Sequence, residues 1–235
     1  MTLKRPLRRG VQRKVLAAVI LICLSQKLYT REYSRPQNFK GFSLGAAILR
    51  DSTSVGLKLN SPSGYSAKLG MNPEGVSVRG IISYGYEFSG FFVGAEGHYQ
   101  HSWSDAEETI SFSGQNLQAT VEDQSGFGAF FLLGQNFGGV LPYGKAGYVW
   151  EKLKTEERYP GSNLEFEPVL VGAFSYGLGI KTKLAPQLCF SIELMWTANA
   201  KESRLSVDGQ ELPLSRASIK MGNSLGASVQ VSYLF

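Results

Sequence analysis

Few residues in this 235-residue chain could do chemistry. It holds two histidines, His98 and His101, and two cysteines, Cys23 and Cys189. No cysteine–histidine spacing suits a metal, and neither a metal nor a cofactor is expected. His98 shares a period-two face with Glu96, but Ser102 projects to the opposite face from His101. Catalysis by a nucleophile or a general base needs those groups within reach of each other. No such constellation is legible, so no enzyme is expected.

A set of charges says more. Glu96, Lys145 and Glu193 each sit four or five residues from a short turn, and Lys181 lies close to that level. If these segments are strands of one closed sheet, two acids and two bases meet inside it. Enclosed charge must be paired, because an isolated ion in an apolar medium is heavily penalised. With Arg79 nearby, and Glu87 and Glu151 as extensions, the set reads as a salt-bridged plug. The alternative is a charge gate for small ions.

The elements that must position these charges alternate with a period of two. In VSVRGIISYGYEF, Val76, Val78, Ile82, Tyr84, Tyr86 and Phe88 share one face, and Ser77, Arg79, Ser83, Gly85 and Glu87 the other. After Ser89-Gly90, a two-residue hairpin turn, Phe91, Val93, Ala95, Tyr99 and Trp103 repeat the pattern, with Glu96, His98 and Gln100 opposite. It recurs around Phe42–Ile48, Phe127–Leu133, Ala146–Trp150, Leu170–Ile180, Leu188–Trp196 and Ile219–Phe235, giving eight strands. Ile81, Phe130 and Leu132 break it by placing apolar groups on the polar face. Short connections (Ser89-Gly90, GGV, LAPQ) alternate with long ones, about 52–75, 104–125, 154–168 and 198–215. In two long connections the strands are expected to continue: TISFSGQNLQATVE folds back around 114–116, and RLSVDGQELPL carries the hairpin dipeptide Asp208-Gly209.

One apolar face and one polar face, in segments of about ten residues, is the pattern of a barrel that crosses a membrane by strands. The expected fold is an eight-stranded antiparallel up-and-down transmembrane β-barrel over 39–235. Eight strands enclose a space just wide enough for side chains to fill. Aromatic residues should form two bands: Phe88 and Phe91 beside a short turn, and Trp103, Trp150 and Trp196 roughly one membrane-span above the turns.

The charge excess lies at the other end of the chain. The formal net charge is +5, but Lys4, Arg5, Arg8, Arg9, Arg13 and Lys14 have no acid among them in the first 25 residues. Without them 18 basic residues face 19 acids, which removes any case for nucleic-acid binding. That basic stretch precedes the apolar run VLAAVILICLS, too short to span a bilayer as a helix. Residues 1–25 read as a cleavable signal peptide, with an uncleaved anchor as the alternative, and 26–38 as an N-terminal periplasmic segment. Gln12 argues against a twin-arginine signal, and Ile22 before Cys23 against lipidation. After cleavage Cys189 is alone and reads as a small buried or lipid-side residue.

The hairpin YGYEFSGFFVGAEGHY, the stretch LGQNFGGVLPYGKAGYVW and the terminal VSYLF are similar to a known family: small bacterial outer-membrane β-barrels of the OmpA-transmembrane and opacity-protein type. The resemblance covers about 39–235. It implies a bacterial outer-membrane location and a surface role, adhesin-like, through external loops. It also implies that Val231, Tyr233 and Phe235 are read as a signal by the barrel-assembly machinery. Outer-membrane lipids and lipopolysaccharide are the expected surroundings, with host or cell-surface ligands on the loops, where Tyr65 and Tyr159 stand out. A monomer is expected. A narrow porin-like channel is the alternative function, and a lipid-modifying enzyme the least favoured. A closed barrel should migrate faster on gels when loaded unheated than when boiled; a single unshifted band from isolated outer membranes would contradict both fold and location.

Overall fold

The computed structural model describes residues 38–60, 66–112, 115–159, 162–198, 200, 203–207, 210–211 and 217–235. The signal-peptide and most of the periplasmic-segment expectations, along with Tyr65, Asp208 and Gly209, lie outside these residues, as does the side chain of Tyr159.

Among the described residues eight long strands run antiparallel in chain order: Gly41–Asn60, Glu74–Phe88, Phe91–Phe112, Gln115–Gln135, Val140–Tyr159, Val169–Lys183, Leu188–Thr197 and Ala217–Leu234. Each pairs with the next, and the eighth pairs back onto the first, with Leu44 opposite Tyr233 and Ala46 opposite Val231. The ring is closed. Every backbone donor and acceptor within it therefore finds a partner without water, which a membrane-crossing sheet requires. The last residue takes part: the Phe235 amide donates to the Phe42 carbonyl at 2.8 Å, and the two rings lie 5.8 Å apart.

The period of two decides which face is which. Phe42, Leu44, Ile48, Val78, Ile82, Tyr84, Phe131 and Leu178 are all exposed on the outside, Leu178 at 64 %. A water-soluble surface does not carry so continuous an apolar patch; this one is a lipid-facing belt. No described helix is long and apolar enough to cross a membrane, and here the strands do the crossing. Phe88 and Phe91 stack beside the lower Ser89-Gly90 turn, where both residues take positive φ (48° and 83°), as a type I′ hairpin demands. Trp103, Trp150 and Trp196 lie outward at the upper edge, Trp150 stacked on Phe127 and Trp196 on Tyr176.

Two long connections, 52–75 and 154–168, read as loops, but the sheet continues through them well above the tryptophans; in 104–125 the strands continue as expected, with Phe112 opposite Gln115. The first strand runs to Asn60 and pairs with a short strand, Ser66–Met71; the third reaches Phe112; the fifth reaches Tyr159 and pairs with Ser162–Glu165. Membrane thickness limits the apolar outer face but not the ladder, which goes on wherever the inner face has something to pack. In the 198–215 connection Ser206–Val207 pairs with Gln210–Glu211, flanking the expected turn.

Glycines on the inner face allow close strand approach. A Cβ on Gly147 would sit 2.0 Å from the Ala129 carbonyl oxygen, whereas one on the lipid-facing Gly80 would meet nothing. Gly147→Ala should lower barrel stability by about 1–3 kcal/mol, the usual range for overpacking, and Gly80→Ala should be near neutral. Urea midpoints from unheated-gel band shifts would check both.

Candidate functional site

Counting from the lower rim, the barrel interior is layered. At the floor, Phe39 turns in ahead of the first strand and packs in a cluster with Phe92, Leu132, Leu141 and Cys189. Its amide donates to Glu87 Oε2 at 2.9 Å, and Asn136 Nδ2 donates to Glu87 Oε1 at 2.9 Å. Glu87 thus ties the lower rim together and does not extend the charge layer, because strand register puts it too near the turn. Ile81, Phe130 and Leu132, the exceptions to alternation, are buried in the interior.

Above the floor the structure brings three of the sequence-selected charges together. Lys145 Nζ on the fifth strand donates to Glu96 Oε1 on the third at 2.9 Å and to Glu193 Oε2 on the seventh at 2.6 Å. All three side chains are 1 % exposed. The Tyr143 hydroxyl donates to the other Glu193 oxygen, and the Lys145 ammonium stands 4.9 Å from the Phe130 ring centroid. Lys181 lies lower, opposite Leu141, with its ammonium 5.9 Å from the Tyr143 ring centroid and outside the bridge itself.

Arg79 is one layer higher. Its Nη2 donates to Gln100 Oε1 at 2.9 Å and its Nη1 to Met195 Sδ at 3.3 Å, while Nε has no protein partner. His98 stacks on Phe130, ring centroids 5.4 Å apart, and is buried without a nucleophile against it in the hydrogen bonds described.

Sequence reading missed Asp51 and Asp123 and treated Glu151 only as an extension. All three are buried inside the barrel, Asp51 and Glu151 near Arg79 and Asp123 near both of them. Asp123 should face outward by strict alternation from Phe127 and Ala129. It faces inward because the fourth strand carries one extra residue against the fifth between Asp123 and Ser125. Such a bulge inverts the faces beyond it. The eighth strand makes a similar shift opposite Thr53–Val55, which turns Met221 inward. The bulges sit at the upper edge of the apolar belt, and nothing in a single strand's composition signals them.

Beyond this layer the interior becomes apolar again: Val55, Leu57, Met71, Val121, Leu153, Phe166, Ile219 and Met221 are each at most 3 % exposed.

No protein-family model matches the chain, and no curated protein does. Solved structures do. Outer membrane protein OprG from Pseudomonas aeruginosa aligns at 9 % identity over 83 % of this chain and 96 % of its own, with a TM-score of 0.52. Neisserial surface protein A aligns at 16 % identity over 83 % and 98 %, with a TM-score of 0.40. The outer membrane protease OmpT from Escherichia coli aligns at 9 % identity over 88 % and 100 %, with a TM-score of 0.49. At these identities the likeness is one of fold, and the fold is that of the bacterial outer-membrane β-barrels.

The Lys145 bridge makes a sharp test. Lys145→Met strands two enclosed carboxylates and should destabilise the barrel by about 3–5 kcal/mol, the usual result of removing one partner of a buried ion pair. The triple change Glu96→Gln, Lys145→Met, Glu193→Gln should recover most of that loss. Urea midpoints of the refolded barrel would read both.

Proposed function

We propose that this protein is a non-enzymatic outer-membrane barrel that holds a surface-interaction, adhesin-like region above the bilayer. The observation that carries this reading is the filled upper interior. Above the tryptophans, Val55, Leu57, Met71, Val121, Leu153, Phe166, Leu205, Ile219 and Met221 pack a buried apolar core inside the strand extensions. A conduit needs a wetted path there; a rigid stalk needs close packing. Extended pairings such as Glu108–Ala119 and Gly56–Gly70 raise the loop ends well clear of the lipid belt.

The roles assigned from sequence fit this picture. Glu96, Lys145 and Glu193, with Arg79 and Lys181 beside them, fill the lumen as a plug. Phe88, Phe91, Trp103, Trp150 and Trp196 anchor the belt at the two interfaces. Val231, Tyr233 and Phe235 present the closing strand to the assembly machinery. The narrow-channel alternative draws its support from the charged middle layer, but ions would have to pass an apolar column to reach it.

Planar-bilayer recording of the purified barrel should give no steady conductance, and Lys145→Ala should not create one. Cells displaying the protein should bind a cell-surface ligand, and shortening the four extensions to the tryptophan level should abolish that binding while the heat-modifiable band persists. Steady single-channel steps from the wild type would overturn this reading in favour of the channel.

A further inference from the structure

The buried charges of the barrel do not balance, and the imbalance has a place. Five acids are buried among the described residues, Asp51, Glu96, Asp123, Glu151 and Glu193, against three bases, Arg79, Lys145 and Lys181. Lower down the count is even: Glu96 and Glu193 bridge Lys145, and Lys181 lies below them. The whole formal excess of two acids lies higher, with Asp51, Asp123 and Glu151 from the first, fourth and fifth strands, where Arg79 faces Asp51 and Glu151. No described residue of the sixth, seventh or eighth strand adds a buried base at that height, and His98 on the third is counted as neutral.

Next to these groups is a cavity of about 20 Å³, lined by Asp51, Arg79, His98, Gln100, Glu151 and Thr197 among others. It has room for one water-sized body. Several atoms of these lining residues are buried and have no protein partner: Asp51 Oδ1, Glu151 Oε2, Arg79 Nε and His98 Nδ1. Asp51, Glu151 and His98 are each less than a tenth exposed. Arg79 turns its terminal nitrogens to Gln100 and Met195, so it meets the charges of Asp51 and Glu151 through space. An orphaned carboxylate in a low-dielectric interior is costly, and here two residues that carry such oxygens line one small space.

We propose that this cavity is a site for a small monovalent cation, of sodium or potassium size, held between the carboxylates of Asp51 and Glu151. The described residues contain no group of three or more acid, histidine or cysteine ligands placed to hold a metal ion, which argues against a tightly coordinated divalent or transition metal. Sodium and potassium are bound by oxygen atoms alone, and the lining carries them on Asp51, Glu151, Thr197 and Ser224. The cation offsets half of the formal local excess and gives the unpartnered oxygens of Asp51 and Glu151 a partner. The site lies in the upper lumen, one layer above the Lys145 bridge, and is independent of whatever the external surface binds.

Binding to the folded state alone raises stability in a saturating way. The test uses the barrel refolded in detergent micelles at about pH 8.5, where protons compete least, with total chloride fixed. Replacing N-methyl-D-glucamine, too bulky for the cavity, by sodium or potassium should raise the thermal unfolding midpoint along a saturating curve. The double variant Asp51→Asn, Glu151→Gln should lose that difference, whereas Glu74→Gln, which changes an exposed acid, should keep it. Equal midpoints in the two salts overturn the proposal, as does a sodium effect that survives in the double variant. If that variant does not fold, the sodium-23 line width decides: broadening by the wild-type barrel, reversed by potassium, supports the site, and an unbroadened line overturns it.

Discussion

Hydrocarbon, rather than a protein interior, solvates the outer face of this sheet, and the rest of the architecture follows. Lipid offers no hydrogen bonds, so the sheet cannot have an open edge at membrane depth. The eighth strand must return to the first, and Phe235, on the final turn of that ladder, can be aromatic and exposed because its surroundings are apolar. The same constraint explains why the large hydrophobic residues are outside and the charges inside, the reverse of a soluble domain.

An inside-out barrel of eight strands has little room, and the contents of that room are layered. Aromatic and aliphatic side chains close the floor around Phe39, the Glu96–Lys145–Glu193 bridge crosses the lower lumen, carboxylates gather around Arg79, and an apolar core fills the extension above the bilayer. Each layer obeys a different rule. In the bridge, Lys145 reaches two acids at once and Tyr143 occupies a remaining lone pair, so enclosed charge is compensated by geometry. Around Arg79 it is not, and that layer is electrostatically the least settled part of the molecule. The upper core resembles the interior of an ordinary soluble protein, because above the lipid the outer face of the strands meets water again.

The change in environment along a strand accounts for where sequence reading stopped. Between the lower turns and the tryptophans, alternation is strong, because lipid tolerates no polar residue on one side and the lumen few large ones on the other. Above the tryptophans both faces turn mixed, and residues 52–75 and 154–168 look like polar loops although most of them are paired strand; in 104–125 only the fold-back of TISFSGQNLQATVE is legible. Val121, Leu153 and Ile219 are buried there, but isolated valines and leucines among acids and lysines carry no period clear enough to read.

The sequence by itself determined the strands, their inward and outward faces at membrane depth, the tight turn at Ser89-Gly90 and the inward placement of Glu96, Lys145 and Glu193. All of these follow from local rules: a side-chain period of two, and a backbone conformation that glycine permits. Only the tertiary structure decided which charges touch. Lys145 meets residues about fifty positions away on either side, at a height set by how neighbouring strands slide past one another. It also decided that Asp123 turns inward, since one extra residue between Asp123 and Ser125 is defined only against the partner strand. A bulge is a property of a pair of strands, and no single strand records it.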